Sequence, residues 1–244
     1  NRIDELRGIN ISDSGLEIGS LTTVSDIEDS VTVNASWRAI AEGAGNLGTP
    51  LVRNRATIGG NICSARPAAD LFLPIAALGG TFKLRSNSDT RYVASSEFAT
   101  APGICLKKPD EILCGISVPH LPEYSGSACI KLGTRESLEI AVVNAAAFLA
   151  LEGETISAAG IALGAAAPTP IVASKAAAFL QGKAPTQRNF SAAGEIAAEE
   201  CSPITDHRGS ALYRVEMIRV LVRRALDRSL NRIISRKSTE SHLQ

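Results

Sequence analysis

The sequence has no excess of either charge. Its 25 Lys and Arg residues balance 25 Asp and Glu residues, so the formal net charge at pH 7 is zero. A protein that coats nucleic acid usually carries a clear basic excess, and the balance argues against that function class. Aromatic residues make up only 4% of the 244 residues, whereas 45% are apolar. We therefore expect cores of small aliphatic side chains, enough for one large or two modest domains.

Long hydrophobic runs are also missing. A membrane-spanning helix needs roughly 20 apolar residues, and the longest apolar stretch, 140–151, is shorter and is interrupted by Asn144. We interpret that stretch as a buried strand. The first residues contain neither an initiator Met nor an apolar signal core, so we expect a soluble chain that is cut at its front. The cysteines described next favour a reducing cytoplasm.

Reactive side chains are few and scattered. The five cysteines form no C-x-x-C pair, and their odd number and spacing argue against a disulfide framework or an iron–sulfur cluster within this chain. We interpret them as small buried hydrophobes. The three histidines belong to no nucleophile motif, and no G-x-S-x-G sequence is present. If the protein is an enzyme, a cofactor must supply its chemistry.

The pattern of the chain changes near Pro119-His120-Leu121-Pro122, the best linker in the sequence. The fold class is therefore α+β, with predicted domains at 1–121 and 122–235 and a tail at 236–244. The first domain is predicted to contain helices at 22–29, 34–43 and 71–78, a loop at 45–70, and strands at 16–18, 81–85, 91–93 and 112–118. The second is predicted to contain strands at 128–132, 140–151 and 156–163, then helices at 172–180 and 190–200 and a long one from about 210.

Two glycine-rich segments could bind phosphate. Gly43 to Gly48 reads G-x-G-x-x-G, but a predicted helix precedes it and Thr49-Pro50 follows, so we reject a dinucleotide fingerprint there. In 53–62, the adjacent Gly59 and Gly60 would let successive amide groups point at one anion, such as a diphosphate. A plain hairpin turn fits that segment equally well.

Three further features are ambiguous on their own. Asp70 fits the cap of the helix that follows it, and a carboxylate there could also bind a sugar hydroxyl. Lys131 alternates with apolar residues in a predicted strand and is typical of a solvated position. The arginines of the C-terminal helix, from Arg214 to Arg232, are typical of a solvated or subunit-facing side of a helix with one apolar stripe. That stripe is predicted at Leu212, Val215, Ile218, Val222, Leu226, Leu230 and Ile233.

Taken in order, several short motifs make the chain similar to a known family. The segment from Arg53-Asn54 through Thr57-Ile58-Gly59-Gly60-Asn61 to Pro67-Ala68-Ala69-Asp70 resembles the flavoprotein (medium) subunit of the molybdenum hydroxylases, the group of xanthine dehydrogenase and carbon monoxide dehydrogenase. The likeness covers about residues 6–228. Its further landmarks are Leu6-Arg7-Gly8-Ile9, Leu16-Glu17-Ile18-Gly19, Asp110-Glu111-Ile112-Leu113, Val118-Pro119, Lys131 with Arg135, Ala167-Pro168-Thr169-Pro170, Leu180-Gln181-Gly182-Lys183 and Ser210-Ala211-Leu212-Tyr213-Arg214.

The resemblance implies an FAD-binding domain of the vanillyl-alcohol-oxidase (PCMH) type and a smaller C-terminal domain, which we expect to be a three-stranded antiparallel sheet with a helical bundle. It implies that the segment Thr57, Ile58, Gly59, Gly60 and Asn61 cradles FAD, mainly through backbone amides. Asp70 would bind sugar hydroxyls and Lys131 would approach the polar edge of the flavin. Leu47 and Leu113 would pack on the cofactor's rings.

The resemblance also implies a place in a complex. A molybdenum cofactor on one partner subunit and a [2Fe–2S] cluster on another would pass electrons through FAD to an external acceptor. Family members carry an earlier glycine-rich loop around the diphosphate, which this sequence does not contain. We therefore expect this chain to hold FAD weakly and an intact subunit to hold it well. Two alternatives remain: a free-standing flavin oxidase, and a non-catalytic assembly or binding module.

Overall fold

The chain folds around two antiparallel sheets, and the structure, a computed structural model, describes residues 3–135 and 139–241. We call residues 3–121 the first half and residues 122–241 the second half. The strands are β1 (Ile9–Ser12), β2 (Gly15–Gly19), β3 (Thr81–Arg85), β4 (Thr90–Ala94), β5 (Ala99–Ala101), β6 (Ile104–Cys105), β7 (Ile112–Pro119), β8 (Ser125–Leu132), β9 (Val143–Glu152), β10 (Thr155–Gly164) and β11 (Ile171–Val172).

The helices are concentrated between β2 and β3 and after β11. They are α1 (Val24–Asp29), α2 (Val31–Ser36), α3 (Arg38–Gly45), α4 (Pro50–Arg53), α5 (Ile58–Cys63), α6 (Phe72–Ala77), α7 (Ser95–Phe98), α8 (Ser174–Leu180), α9 (Gln187–Glu199) and α10 (Ala211–Ser241).

The strand predictions are largely confirmed. The first half holds a five-stranded sheet in the order β1-β2-β7-β3-β4, and a small β5-β6 pair lies beside it. The second half has the three predicted long strands in the order β10-β9-β8, but the predicted three-stranded sheet gains a fourth strand because β11 pairs with β10. The predicted boundary near residue 121 falls between β7 and β8, and the domain limits stay a prediction.

Two helix predictions in the first half need correction. The predicted helix at 34–43 is two helices, α2 and α3, because the backbone leaves the helical region at Trp37, which has φ −111° and ψ 47°. The predicted loop at 45–70 contains α4 and α5, each begun by a threonine whose hydroxyl accepts an amide hydrogen bond. Sequence reasoning missed both because each helix is short and rich in Gly or Pro.

The second sheet lies between two layers of packing. Ala145, Ala147 and Leu149 of β9 join the apolar core under α8, α9 and α10. Ala146 points to the opposite face and joins the core of the first half. Because successive strand residues face opposite sides, a sheet covered on both faces needs a continuous apolar strand. This requirement explains the long run of small apolar residues at 140–151.

The C-terminal helix α10 contacts α9, β8 and β9. Its buried stripe differs from the predicted one: Ile218, Val222, Leu226 and Ile233 are buried as predicted, but Leu212 is 80% exposed. The position on the stripe four residues before Ile218 belongs to Arg214. The helix continues to Ser241, through most of the predicted tail, and residues 242–244 lie outside the described residues.

The two halves approach closely where α6 packs against β10. A Cβ atom at Gly160 would overlap the carbonyl oxygen of Ala77. We expect Gly160→Ala to destabilise the protein by about 2 kcal/mol, because an added methyl group must push the two halves apart. Urea unfolding measures the change. Gly115→Ala is the matched control, since its Cβ would meet only the Ile18 carbonyl oxygen at 3.5 Å; equal stability losses in both variants would contradict the explanation.

Candidate cofactor site

The segment predicted to cradle a diphosphate forms the first turn of α5. The Thr57 hydroxyl accepts the Gly60 amide at 3.2 Å, and the Thr57 carbonyl accepts the Asn61 amide at 3.1 Å. The Ile58 amide donates to the Thr22 carbonyl at 3.1 Å and the Gly59 amide to the Ser20 carbonyl at 2.9 Å. All four amides are therefore hydrogen-bonded within the chain, and the hairpin alternative is wrong because the segment is helical. Binding of FAD by this segment stays a prediction.

The glycine at position 59 serves close packing. A Cβ there would lie 2.7 Å from the Ser20 carbonyl oxygen, which is closer than side-chain atoms pack. Gly59 is buried whereas Gly60 is exposed. Gly59 thus lets α5 dock against the chain that follows β2, and this docking uses the amides of Ile58 and Gly59.

Asp70 and Lys131 form a buried ion pair between the two halves. The Lys131 ammonium lies 3.1 Å from Oδ1 of Asp70 and donates a 3.2 Å hydrogen bond to Oδ2 and a 2.9 Å hydrogen bond to the Asn46 carbonyl. Each of the two charged side chains is 11% exposed. Lys131 is therefore not solvated, and Asp70 does not cap α6, which begins after Leu71 without any side-chain cap.

The electrostatics of Asp70 are set by burial. Burial raises the pKa of its carboxyl from the ordinary 3.8 to about 6, and the charge and hydrogen bond of Lys131 oppose that rise. Within the described residues, no donor makes a hydrogen bond to Oδ1, although the ammonium lies nearby. A buried carboxylate oxygen without a hydrogen bond is costly unless a ligand hydroxyl or a water molecule completes it.

A cavity of about 860 Å³ opens beside Asp70, between the halves. This volume lies within the range of small-molecule and cofactor sites. Asn61 and Asp70 line it from the first half and Arg208 and Arg214 from the second. Its walls are mostly apolar and include Pro67, Ala69, Pro102, Ile140, Ala167, Pro168 and Ile204.

A second cavity of about 390 Å³ lies beside Lys131 and is lined by Asn46, Arg53 and Arg135. Glu139 lines both cavities, and its carboxylate accepts amide hydrogen bonds from Thr134 and Arg135. The hydrogen bond of the Thr134 side chain, followed by these two amide hydrogen bonds, lowers the pKa of Glu139 to about 2. The Asp70–Lys131 pair therefore joins two concave spaces, one apolar and one lined by cations.

The structure brings only some of the predicted residues to these cavities. Asn61, Asp70 and Lys131 line them, and Asn61 also fixes the loop because its Oδ1 accepts the Leu71 amide at 3.1 Å. Leu47 is partly buried against the first core, next to Asn46. Leu113 is 6% exposed in β7, opposite Leu84, and lines neither cavity.

Sequence reasoning missed the buried arginine of the larger cavity. Arg214 is 1% exposed, donates to the carbonyls of Val142 and Ala165, and pairs with Asp206 at 2.6 Å. Arg208 pairs with the same carboxylate at 2.7 Å, and the two arginines, Arg208 foremost, lower the pKa of Asp206. The interpretation of Arg214 as solvated is wrong. Arg214 lies four residues before Ile218, and this spacing was the feature of the sequence that could have predicted its burial.

The G-x-G-x-x-G segment supports the site by close packing as well as through the Asn46 carbonyl. Its first two glycines end α3, so no strand feeds it, as the rejection of a dinucleotide fingerprint assumed. A Cβ at Gly43 would lie 2.7 Å from the Asp70 carbonyl oxygen. Because Gly43 has no side chain, α3 can pack directly against the backbone of Asp70.

Other candidate chemistry is limited. All five cysteines are free thiols, and burial raises the pKa of Cys63 to about 11 and that of Cys201 to about 12. Across 3–135 and 139–241, no group of three or more His, Cys, Asp and Glu side chains is placed to hold a metal ion. The same residues include no helix long and apolar enough to cross a membrane.

The fold and the cavities define a two-part protein whose candidate cofactor site lies between an α+β unit and a sheet covered by helices. Residues 1–121 match the sequence family described as the FAD binding domain in molybdopterin dehydrogenase. Residues 128–229 match the carbon monoxide dehydrogenase flavoprotein C-terminal domain. The chain belongs to the flavoprotein subunit family of the molybdenum hydroxylases, as the motifs indicated.

Individual relatives agree with this assignment. The chain is 31% identical to the xanthine dehydrogenase FAD-binding subunit of Escherichia coli O157:H7, over 94% of this chain and 80% of the relative. It is 34% identical to the carbon monoxide dehydrogenase medium chain of Hydrogenophaga pseudoflava, over 93% and 79%. A solved carbon monoxide dehydrogenase from that organism superimposes with a TM-score of 0.91 at 35% identity, over 95% of this chain and 80% of the other.

FAD fits this site in part. The buried Asp70 Oδ1 suits a sugar or ribityl hydroxyl, and the apolar cavity suits a planar ring system. The amides of residues 58–61 all make hydrogen bonds within the chain.

Proposed function

We propose that this chain is the FAD-carrying subunit of a molybdenum hydroxylase complex. A molybdenum cofactor and a [2Fe–2S] cluster on partner subunits would deliver electrons, and the flavin would pass them to an external acceptor. Membership of the family supports this proposal. The observation in the structure that carries it is the buried Asp70–Lys131 pair, which lies beside a cavity large enough for a flavin ring.

The three residues at the cavities have distinct proposed roles. Asp70 accepts a hydrogen bond from a hydroxyl of the cofactor's sugar or ribityl chain through Oδ1. Lys131 approaches the polar edge of the flavin while Asn46 and Asp70 hold its ammonium in place. Asn61 keeps the loop before Leu71 in position through its side-chain oxygen.

The other predicted residues remain part of the proposed site, but four of them would support the cofactor indirectly. Thr57, Ile58, Gly59 and Gly60 would support the cofactor segment by docking α5, since their amides are not free to bind it. Packing of Leu47 and Leu113 on the cofactor's rings remains part of the proposal.

FAD supplies the redox chemistry when bound, because protein side chains carry no comparable one- and two-electron couple. The chain contributes binding, orientation and charge. The positive Lys131 ammonium, shielded from water, favours electron density on whatever ring system lies against it.

Metal and flavin analysis of the natively purified protein tests this function. We expect iron, molybdenum and FAD to co-purify with the full-length subunit, and we expect the flavin to be bleached when substrate reduces the complex. A free-standing oxidase would carry flavin alone, and a non-catalytic assembly module would carry neither metal nor flavin; either result would contradict the proposal.

We further propose that the complex acts in the cytoplasm. The five free cysteines support this location, because thiols in oxidising compartments are usually paired. Fractionation of cells with an antibody against the subunit checks it.

A further inference from the structure

We propose that Glu42 and Arg232 are positioning residues that hold Lys131 in the cofactor site, an inference that rests on the function proposed above. Neither side chain lines the two cavities around the Asp70–Lys131 pair. Both act through the contact between α3 of the first half and β8 of the second half, the strand that carries Lys131.

The helix α3 lies along β8 and touches it at three successive levels. The strand residues are two apart and so lie on one side of β8, and the helix residues are three and four apart and so lie on one face of α3. The three contacts are the Ala39 amide to the Ser127 hydroxyl at 3.2 Å, the Cys129 amide to Glu42 Oε2 at 2.8 Å, and the Lys131 ammonium to the Asn46 carbonyl at 2.9 Å.

Arg232 reaches the middle of this contact from α10. Its guanidinium pairs with Glu42 Oε1 at 2.5 Å and donates a hydrogen bond to the Ser127 carbonyl. β8 is an edge strand of its sheet, so its outward amides and carbonyls have no neighbouring strand. Glu42 supplies the acceptor and Arg232 the donor that a neighbouring strand would supply. We call this pair the edge clip.

The edge clip is shielded enough to fix geometry. The Glu42 and Arg232 side chains are 18% and 25% exposed, and Arg228 lies 3.5 Å from the same carboxylate. A partly buried, bidentate ion pair that also bonds to the backbone holds its two side chains in one geometry, whereas an exposed ion pair contributes little. The edge clip therefore sets where α3 sits along β8.

The position of α3 along β8 determines which groups can accept a hydrogen bond from the Lys131 ammonium. Lys131 lies two residues beyond Cys129 on the same strand, and both partners of its ammonium belong to the first half: the Asn46 carbonyl just after α3, and Asp70. A shift of α3 along β8 would carry Asn46 away from the ammonium. Loss of the edge clip is therefore expected to loosen the charged edge of the cofactor site.

FAD titration of the full-length subunit, followed by flavin fluorescence, tests the inference. We expect Glu42→Gln and Arg232→Gln each to raise the Kd for FAD about tenfold, and the double variant no more than the worse single one. Arg232→Lys keeps the charge but loses the bidentate geometry and should fall between. Arg219→Gln is the control on the same helix, since the partners of Arg219 among the described residues are the exposed Glu195 and Glu216.

A double-variant test shows whether the edge clip affects FAD affinity through Lys131 or only through the stability of the fold. If Glu42 acts through Lys131, Glu42→Gln has no further effect on FAD affinity in a Lys131→Met background. An unchanged Kd in the folded Glu42→Gln and Arg232→Lys variants would overturn the inference, as would an equal loss with and without Lys131. If the unsubstituted subunit itself binds no FAD, the proposed function fails instead.

Discussion

Replacing Asp70 with alanine should weaken FAD binding to the full-length subunit about 100-fold without unfolding it. The substitution removes the buried carboxylate that would accept a cofactor hydroxyl, and it takes the Asp70 partner from the Lys131 ammonium while the Asn46 carbonyl stays. Flavin occupancy after dialysis, with circular dichroism on the same sample, measures both parts of the prediction. Full occupancy in the folded variant would remove Asp70 from the site.

The fold should tolerate this change because burial of Asp70 is itself costly. Its pKa is raised to about 6 in the folded chain, so the folded state holds a proton that the unfolded chain has lost between about pH 4 and 6. Stability from this group therefore falls as the pH rises through that window. Above pH 6 alanine removes the burial penalty of the carboxylate but leaves the Lys131 ammonium without its counter-charge, so the two effects offset in part. Adding Lys131→Met to Asp70→Ala should remove the unpaired ammonium and restore stability without restoring FAD affinity.

The same pKa gives this prediction a pH control. As the pH falls through about 6, Asp70 gains a proton, and its carboxylate can no longer both pair with Lys131 and accept a hydroxyl. FAD affinity should fall toward acid with that midpoint in the unsubstituted subunit. In Asp70→Asn, which has the same shape but no titrating group, the curve should be flat across the same range.

Replacing Arg214 with methionine should destabilise the protein by about 3 kcal/mol. Arg214 is 1% exposed, and methionine fills the space of its aliphatic stem while leaving the Val142 and Ala165 carbonyls without their donor. Asp206 keeps Arg208 as a partner, so the loss comes mainly from the two buried carbonyls. Urea unfolding followed by circular dichroism measures the difference.

Arg219→Met is the matched control for this prediction. Arg219 lies on the same helix and is 30% exposed, and its partners Glu195 and Glu216 are 61% and 64% exposed. Exposed ion pairs contribute less than about 1 kcal/mol, so the control should unfold close to the unsubstituted protein. Similar losses of unfolding free energy in the two variants would contradict the prediction that the buried contacts of Arg214 stabilise the fold.

Local sequence signals predicted most of the regular structure. The helix predicted at 22–29 is found as Val24–Asp29 with a Thr23 cap, and the predicted strand at 81–85 is found as Thr81–Arg85. Such signals depend on neighbours in the chain, through side-chain caps and alternation of apolar residues. The motifs of the family assigned the cofactor class in the same way, through short segments in a fixed order.

Local reasoning failed where a partner is distant in sequence. The amides of residues 58 and 59 looked free for an anion, yet the chain that follows β2 accepts both hydrogen bonds. Lys131 looked solvated because a strand pattern shows alternation but not what covers the strand, and α3 covers this one. Arg214 looked exposed because charge alone was read, although its spacing from Ile218 placed it on the buried stripe.

The amino-acid sequence by itself determined the two-part α+β organisation, the family and the identity of Asp70 and Lys131 as residues of interest. Only the tertiary structure decided that these two charges meet in a buried pair and that the glycine segment spends its amides internally. The physical reason is that a side chain's solvation and a backbone group's hydrogen bond depend on atoms far away along the chain. Those atoms become neighbours only when the two halves pack together.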